Sequence, residues 1–169
     1  MLSPAQSVLQ DVFGYEQFRG PQQAIVEHVI GGGDALVLMP TGGGKSLCYQ
    51  VPAIVRQRAG QGLAVVVSPL IALMHDQVGA LTEAGVSAAF LNSSLSSEDA
   101  QRIEKEMLRG ELTLLYAAPE RLTTPRFLAL LDALHERGIV DVGGGGGVEP
   151  PPAYLPVVPA EHARLERPA

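Results

Sequence analysis

Met39, Pro40, Thr41, Gly42, Gly43, Gly44, Lys45 and Ser46 follow one another in a pattern suited to gripping a chain of phosphates. Glycines let the backbone curl until successive N–H groups point inward at phosphate oxygens. A helix that opens directly afterwards adds the partial positive charge of its N-terminus at the same point. Lys45 would then reach the β- and γ-phosphates of a nucleoside triphosphate, and the Ser46 hydroxyl would take a place on Mg²⁺. The flanks have the required character. Ala35, Leu36, Val37 and Leu38 form an apolar run that reads as a buried strand, and Leu47, Cys48, Tyr49, Gln50 and Val51 can open a helix. The strict form of the pattern places glycine where Met39 stands. The plain alternative is a glycine-rich strand-to-helix turn that happens to carry a surface lysine.

The elements that would position this loop are legible from periodicity. Ser3 and Gln6 fit a capping box with Pro4 at the first helical position, so a short helix runs to about Phe13 and breaks at Gly14. A second helix starts at Pro21 and runs through Ile30, with Ile25, Val26, Val29 and Ile30 inward; glycines 31–33 and Asp34 turn the chain into the first strand. The helix after the phosphate loop reaches Arg58. Residues 63–67 form a second, wholly apolar strand of the kind buried on both faces in parallel sheets. A helix follows over 69–81, a weaker strand over 87–91, and a helix capped by Ser96 that runs to about Leu108, with Glu98 and Asp99 in its first turn. Residues 112–116 give a fourth strand, and Pro125 opens a last helix that ends at Gly138. Strands alternating with helices make βαβ units and hence an α/β sandwich, without an internal repeat.

The chain has 169 residues, 46% of them apolar, which is enough for one domain with an aliphatic core; tryptophan is absent. Its net charge of −6 argues against broad, nonspecific adhesion to nucleic acid but leaves room for a local polar site. Cys48 is the only cysteine, so no internal disulfide can form, which suits the reducing cytoplasm. A buried structural thiol is the expected role for it, with a reactive thiol as the alternative. No run approaches the ~18 apolar residues of a membrane helix, and the expectation is a soluble cytoplasmic protein. From Asp141 the pattern collapses. Five consecutive glycines and then six prolines between Pro150 and Pro168 leave residues 141–169 reading as a disordered Gly/Pro-rich tail behind a domain of 1–140.

Four phrases carry a resemblance. Phe13, Gly14, Tyr15, Glu16, Gln17, Phe18 and Arg19, with Gln22 beyond, resemble the motif that precedes the phosphate loop in RecQ-type ATP-dependent DNA helicases of superfamily two. The stretch MPTGGGKSLCYQVPA over 39–53 is similar to the family's motif I, which tolerates Met39. Residues 67–78 (VSPLIALMHDQV) resemble motif Ia, and 116–122 (YAAPERL) resemble the motif after it. The resemblance covers roughly residues 9–137. It implies a RecA-like P-loop domain, a mostly parallel sheet with helices on both faces, that binds ATP and Mg²⁺ and works on DNA. Lys45 would be its catalytic lysine, and Thr41, Gly42, Gly43, Gly44, Lys45 and Ser46 its phosphate and metal contacts. Gln22 would read the adenine edge, because an amide donates and accepts at once, while Tyr15 and Arg19 would stack on or border the base. Ser68, Asp76 and Gln77 would lie along DNA, with a solvated helix face as the alternative for the last two. Glu120 and Arg121 resemble the pair that closes that site, or form a local ion pair.

ATP hydrolysis also needs a carboxylate on a neighbouring strand to hold Mg²⁺ and a group that orients the attacking water. In RecQ-type proteins a D-E-x-H box supplies them, and an arginine comes from a second motor domain. No Asp is followed by Glu anywhere in this sequence. Asp141 stands too early and is followed by Val142 and glycines; Glu161 and His162 have no apolar strand before them. The resemblance therefore points to an incomplete first motor domain, truncated before the acidic box, that is inactive alone; a non-hydrolysing ATP-binding module or decoy is the alternative, and a small kinase would need a lid and an acidic strand end not found here. Loss of an interior strand also leads us to expect open apolar surface and a marginally stable or partly molten domain.

Overall fold

The computed structural model describes residues 1–40, 42–139 and, for the backbone alone, 154–156. In chain order the elements are α1 (Pro4–Phe13), α2 (Gln22–Ile30), α3 (Leu47–Arg58), β1 (Ala64–Val67), α4 (Ile71–Glu83), β2 (Ala88–Leu91), α5 (Ser97–Leu108), β3 (Leu114–Ala117), α6 (Pro119–Leu122), α7 (Pro125–Glu136) and β4 (Tyr154–Pro156). Among the described residues every strand pairing is parallel, in the order β2-β3-β1-β4. Wholly apolar strands do this because both of their faces are covered.

Alternation along the strands assigns those faces. Val66 of β1 lies opposite Tyr116 of β3, which lies opposite Phe90 of β2. These face Val8, Val26, Val51, Ile54, Met74 and Leu81 from α1 to α4. Val65, Leu115 and Ala89 point the other way, toward Ile103, Met107, Leu130 and Leu134 of α5 and α7. The result is a partial RecA-like α/β fold with helices on both faces. The caps follow the sequence closely. Ser3 Oγ accepts from Gln6 N, Ser96 Oγ from Asp99 N and Thr124 Oγ1 from Phe127 N. Gln6 does not complete the capping box; its amide instead donates to the Glu16 carbonyl at 2.5 Å. At α5 the Ser96 hydroxyl, and then Arg102, hold the Asp99 carboxyl below its ordinary range.

Two expectations are corrected. Ala35, Leu36, Val37 and Leu38 form no strand: Leu36 is 84% and Leu38 75% exposed. An apolar run becomes a strand only when a free sheet edge accepts its N–H and C=O groups, and the β1 edge is occupied by β4. Within the stretch read as a tail, the backbone of Tyr154, Leu155 and Pro156 pairs with that edge, with Pro156 at the end of the strand, where its missing N–H breaks no interior pairing. The rest of the expected tail, with Asp141, Glu161 and His162, lies outside the described residues. Second, α4 begins at Ile71 rather than Pro69, because the Ser68 hydroxyl accepts from Leu70 N and forms a tight turn between β1 and the helix.

Candidate nucleotide site

The phosphate loop leads directly into α3. Gly42 and Gly44 hold φ of +80° and +78°, the left-handed region that glycine enters without steric cost. Gly43 N donates to the Pro40 carbonyl at 3.0 Å and closes the first turn; a Cβ on Gly43 would stand 2.9 Å from that same carbonyl oxygen. The N–H groups of Gly44, Lys45 and Ser46 donate to no carbonyl among the described residues. At the other end of the turn the Ser46 carbonyl accepts from Gln50 N at 2.9 Å, and the Ser46 side chain makes no capping bond. Lys45 is half-buried and pairs with no carboxylate among the described residues. Open N–H groups, an ammonium and a hydroxyl at a helix start are the donor set a triphosphate with Mg²⁺ requires, so the residues present fit that ligand. Thr41 lies outside the described residues.

Gln22 holds this loop from behind. It is 2% exposed, its Oε1 accepts from Arg19 N at 2.8 Å, and its Nε2 donates to the Gly44 carbonyl at 3.1 Å. Both ends of the amide are engaged inside the protein and the side chain is buried, so its remaining N–H and lone pair could read an adenine edge only if the side chain were uncovered. A Cβ on Gly44 would collide with Gln22 Nε2. Gln22→Met, which fills the same space without polar atoms, is expected to lower the thermal stability of the ligand-free protein by about 1–3 kcal/mol, because the Arg19 N–H and the Gly44 carbonyl lose their partner. A side chain serving solely to read a base would leave that melting curve unchanged.

Tyr15 and Arg19 are exposed beside α2. Tyr15 lines a shallow cleft with Gln10, Gly14, Glu16 and Gln17. A ring on that wall can stack on a base. Cys48 is buried, with Sγ 3.9 Å from Met39 Sδ and 4.0 Å from the Gly44 carbonyl; burial raises its thiol pKa, as a structural thiol requires.

The residues expected along DNA are not presented together. Ser68 is 1% exposed and spends its hydroxyl on Leu70 N. Asp76 is exposed on α4, where its charge would repel phosphate and could only accept from a base. Gln77 turns inward: its Oε1 accepts from Gln50 Nε2 at 2.6 Å and from Tyr49 OH at 3.3 Å. His75 rests on the Phe90 ring, 4.2 Å between centroids. Arg121 donates to the Asn92 carbonyl at 3.1 Å and makes no ion pair with Glu120. Sequence reasoning passed over Tyr49, Gln50 and Tyr116, which share the inward network with Gln77. The available signal was two polar residues, Tyr49 and Gln50, on an otherwise apolar helix start. Among the described residues no group of three His, Cys, Asp or Glu could hold a metal, and no helix is long and apolar enough to cross a membrane.

A family model described as DEAD/DEAH box helicase matches residues 19–138. The ATP-dependent DNA helicase RecQ of Haemophilus influenzae is 47% identical over 127 residues, covering 75% of this chain and 20% of that protein. RecQ of Bacillus subtilis is 43% identical over 135 residues, covering 79% of this chain and 22% of that protein. The rat ATP-dependent DNA helicase Q1 is 40% identical over 134 residues, covering 78% of this chain and 21% of its own length. The chain thus spans about a fifth of the length of these relatives.

Proposed function

The chain belongs to the DEAD/DEAH box helicase family, of RecQ type, and from that premise we propose that it is the nucleotide-gripping part of a DNA-directed motor, holding ATP with Mg²⁺ without hydrolysing it by its own residues. The observation that carries the reading is the turn at Gly42 and Gly44 that delivers Lys45 and Ser46 to the start of α3 with open N–H groups between them. The backbone N–H groups and Lys45 would bind and orient the phosphates, Tyr15 would border the base, and Ser46 Oγ would be a protein ligand to Mg²⁺, which neutralises phosphate charge when bound. Turnover further requires an acidic group beside the metal and an aligned water. The sequence offers no Asp-Glu pair for that work. Contact with DNA is proposed only as a family trait; the inward placement of Ser68 and Gln77 supports a weak interaction at most. A free-standing ATP-binding module is the second reading, favoured by the same missing pair.

The test is direct. Purified protein is melted with a nonhydrolysable ATP analogue and Mg²⁺, and ATP hydrolysis is measured with and without single-stranded DNA. The analogue should stabilise the fold, by about 2.7 kcal/mol when it is present at ~100 times its Kd. Lys45→Ala should remove most of that stabilisation, and hydrolysis should stay at background in both proteins. DNA-stimulated hydrolysis that Lys45→Ala abolishes would refute the absence of turnover. Unchanged melting with the analogue would refute the nucleotide site.

A further inference from the structure

Gln77 was expected to face nucleic acid, yet it points into the protein and sits where three elements meet. Its Oε1 is approached by three donors: Gln50 Nε2 at 2.6 Å, Tyr49 OH at 3.3 Å and Tyr116 OH at 3.5 Å. Gln50 Nε2 also donates to Tyr116 OH at 3.1 Å, and the Tyr49 and Tyr116 rings meet edge to face at 6.4 Å. Gln50 is 5% and Tyr116 1% exposed, so water cannot replace a lost partner cheaply. Burial raises the pKa of both tyrosines, which keeps their hydroxyls protonated as donors. An oxygen offers two lone pairs. The two shorter bonds use them, and the contact to Tyr116 lies at the limit of bonding distance.

The position of these donors gives the network its consequence. Tyr49 and Gln50 form the first turn of α3, and the N–H groups of both return to the Ser46 carbonyl, at 3.3 and 2.9 Å. Gln77 lies at the middle of α4, whose entry is fixed by Ser68. We propose that Gln77 is a positioning residue that ties α4 to the first turn of α3 and so sets the direction in which the Gly44, Lys45 and Ser46 N–H groups point. For nucleotide this rests on the reading of the phosphate loop given above; for the loop's own order it does not. Gln77 acts through Gln50 and touches neither phosphate nor metal.

Gln77→Met and Gln50→Met keep side-chain volume and remove the bond from either side. Both are expected to lower stability, which any buried bond would do, so the deciding readouts are others. Affinity for a fluorescent ADP analogue should fall about five- to tenfold in Gln77→Met, the effect of about one lost hydrogen bond. Adding Gln77→Met to Gln50→Met should change affinity less than about twofold, because the two act as a unit. Without any nucleotide, amide hydrogen exchange at residues 44–47 should quicken in Gln77→Met relative to wild type. Wild-type affinity together with wild-type exchange, or losses that add in the double variant, would overturn the proposal. If the wild-type protein binds no ADP analogue, the nucleotide reading fails and the exchange measurement alone decides for or against Gln77. If Gln77→Met does not fold, Gln50→Met carries the affinity and exchange measurements with the same expected and overturning results.

Discussion

Gly44→Ala is expected to cost about 3–4 kcal/mol of folding stability and to abolish measurable nucleotide binding. Two penalties add. Holding a non-glycine residue in the left-handed region costs about 1–2 kcal/mol, and Gly44 has φ +78°. The new Cβ would also strike Gln22 Nε2, so that buried side chain must leave and give up its bonds to Arg19 N and the Gly44 carbonyl. Each is worth about 1 kcal/mol net. Gly85 supplies the control. It has φ +79°, nothing lies within 4 Å of its built Cβ, and it follows α4 well away from the loop. Gly85→Ala should show the backbone penalty alone and bind nucleotide like wild type. Urea unfolding and titration with an ADP analogue separate the two. Equal midpoints for the two variants would contradict the role assigned to the Gln22–Gly44 contact.

The second large effect is a contrast between leucines. Leu115, at the centre of β3 and 0% exposed, faces the α5–α7 layer. Leu115→Ala should cost about 2–5 kcal/mol, because the cavity it leaves is walled by strands and helices that cannot collapse freely. Against the ~5–15 kcal/mol that holds an ordinary domain, that loss should sharply lower the urea midpoint followed by far-ultraviolet circular dichroism. Leu36 and Leu38, by contrast, are 84% and 75% exposed. Leu36→Ser with Leu38→Ser should change the unfolding free energy from urea melts by no more than about 0.5 kcal/mol while reducing aggregation, since both side chains already stand in water. A loss of several kcal/mol from the serine pair would mean that residues 35–38 occupy a strand position in the folded protein.

Much of the molecule could be read without coordinates wherever the information is local. A helix start depends on a few neighbouring residues, which is why Ser3, Ser96 and Thr124 cap their helices and Gly14 and Gly138 stop theirs with φ of +71° and +66°. A wholly apolar strand such as β3 must be covered on both faces, so the parallel α/β arrangement followed from composition and order. The tight turn over residues 42–46 was legible in part for the same reason: its glycines, Lys45 and Ser46 are contiguous, and Gly42 and Gly44 take the left-handed φ that glycine allows.

What sequence could not supply was pairing at a distance. Residues 35–38 and residues 154–156 compete for the meaning of an apolar or proline-bearing run, and the free edge of β1, contributed by residues 64–67, settled which of them became a strand. Gln22 and Gln77 were placed correctly on their helices, but an amide looks the same in sequence whether it faces solvent, a base or a buried carbonyl. Its partners lie 22 residues away at Gly44 and 27 residues away at Gln50. Helical periodicity fixes the side of a helix on which a residue lies; the packing of α3 against α2, α4 and β3 decides whether that side is closed, because hydrogen bonds between elements exist only once the chain has brought their atoms within about 3 Å.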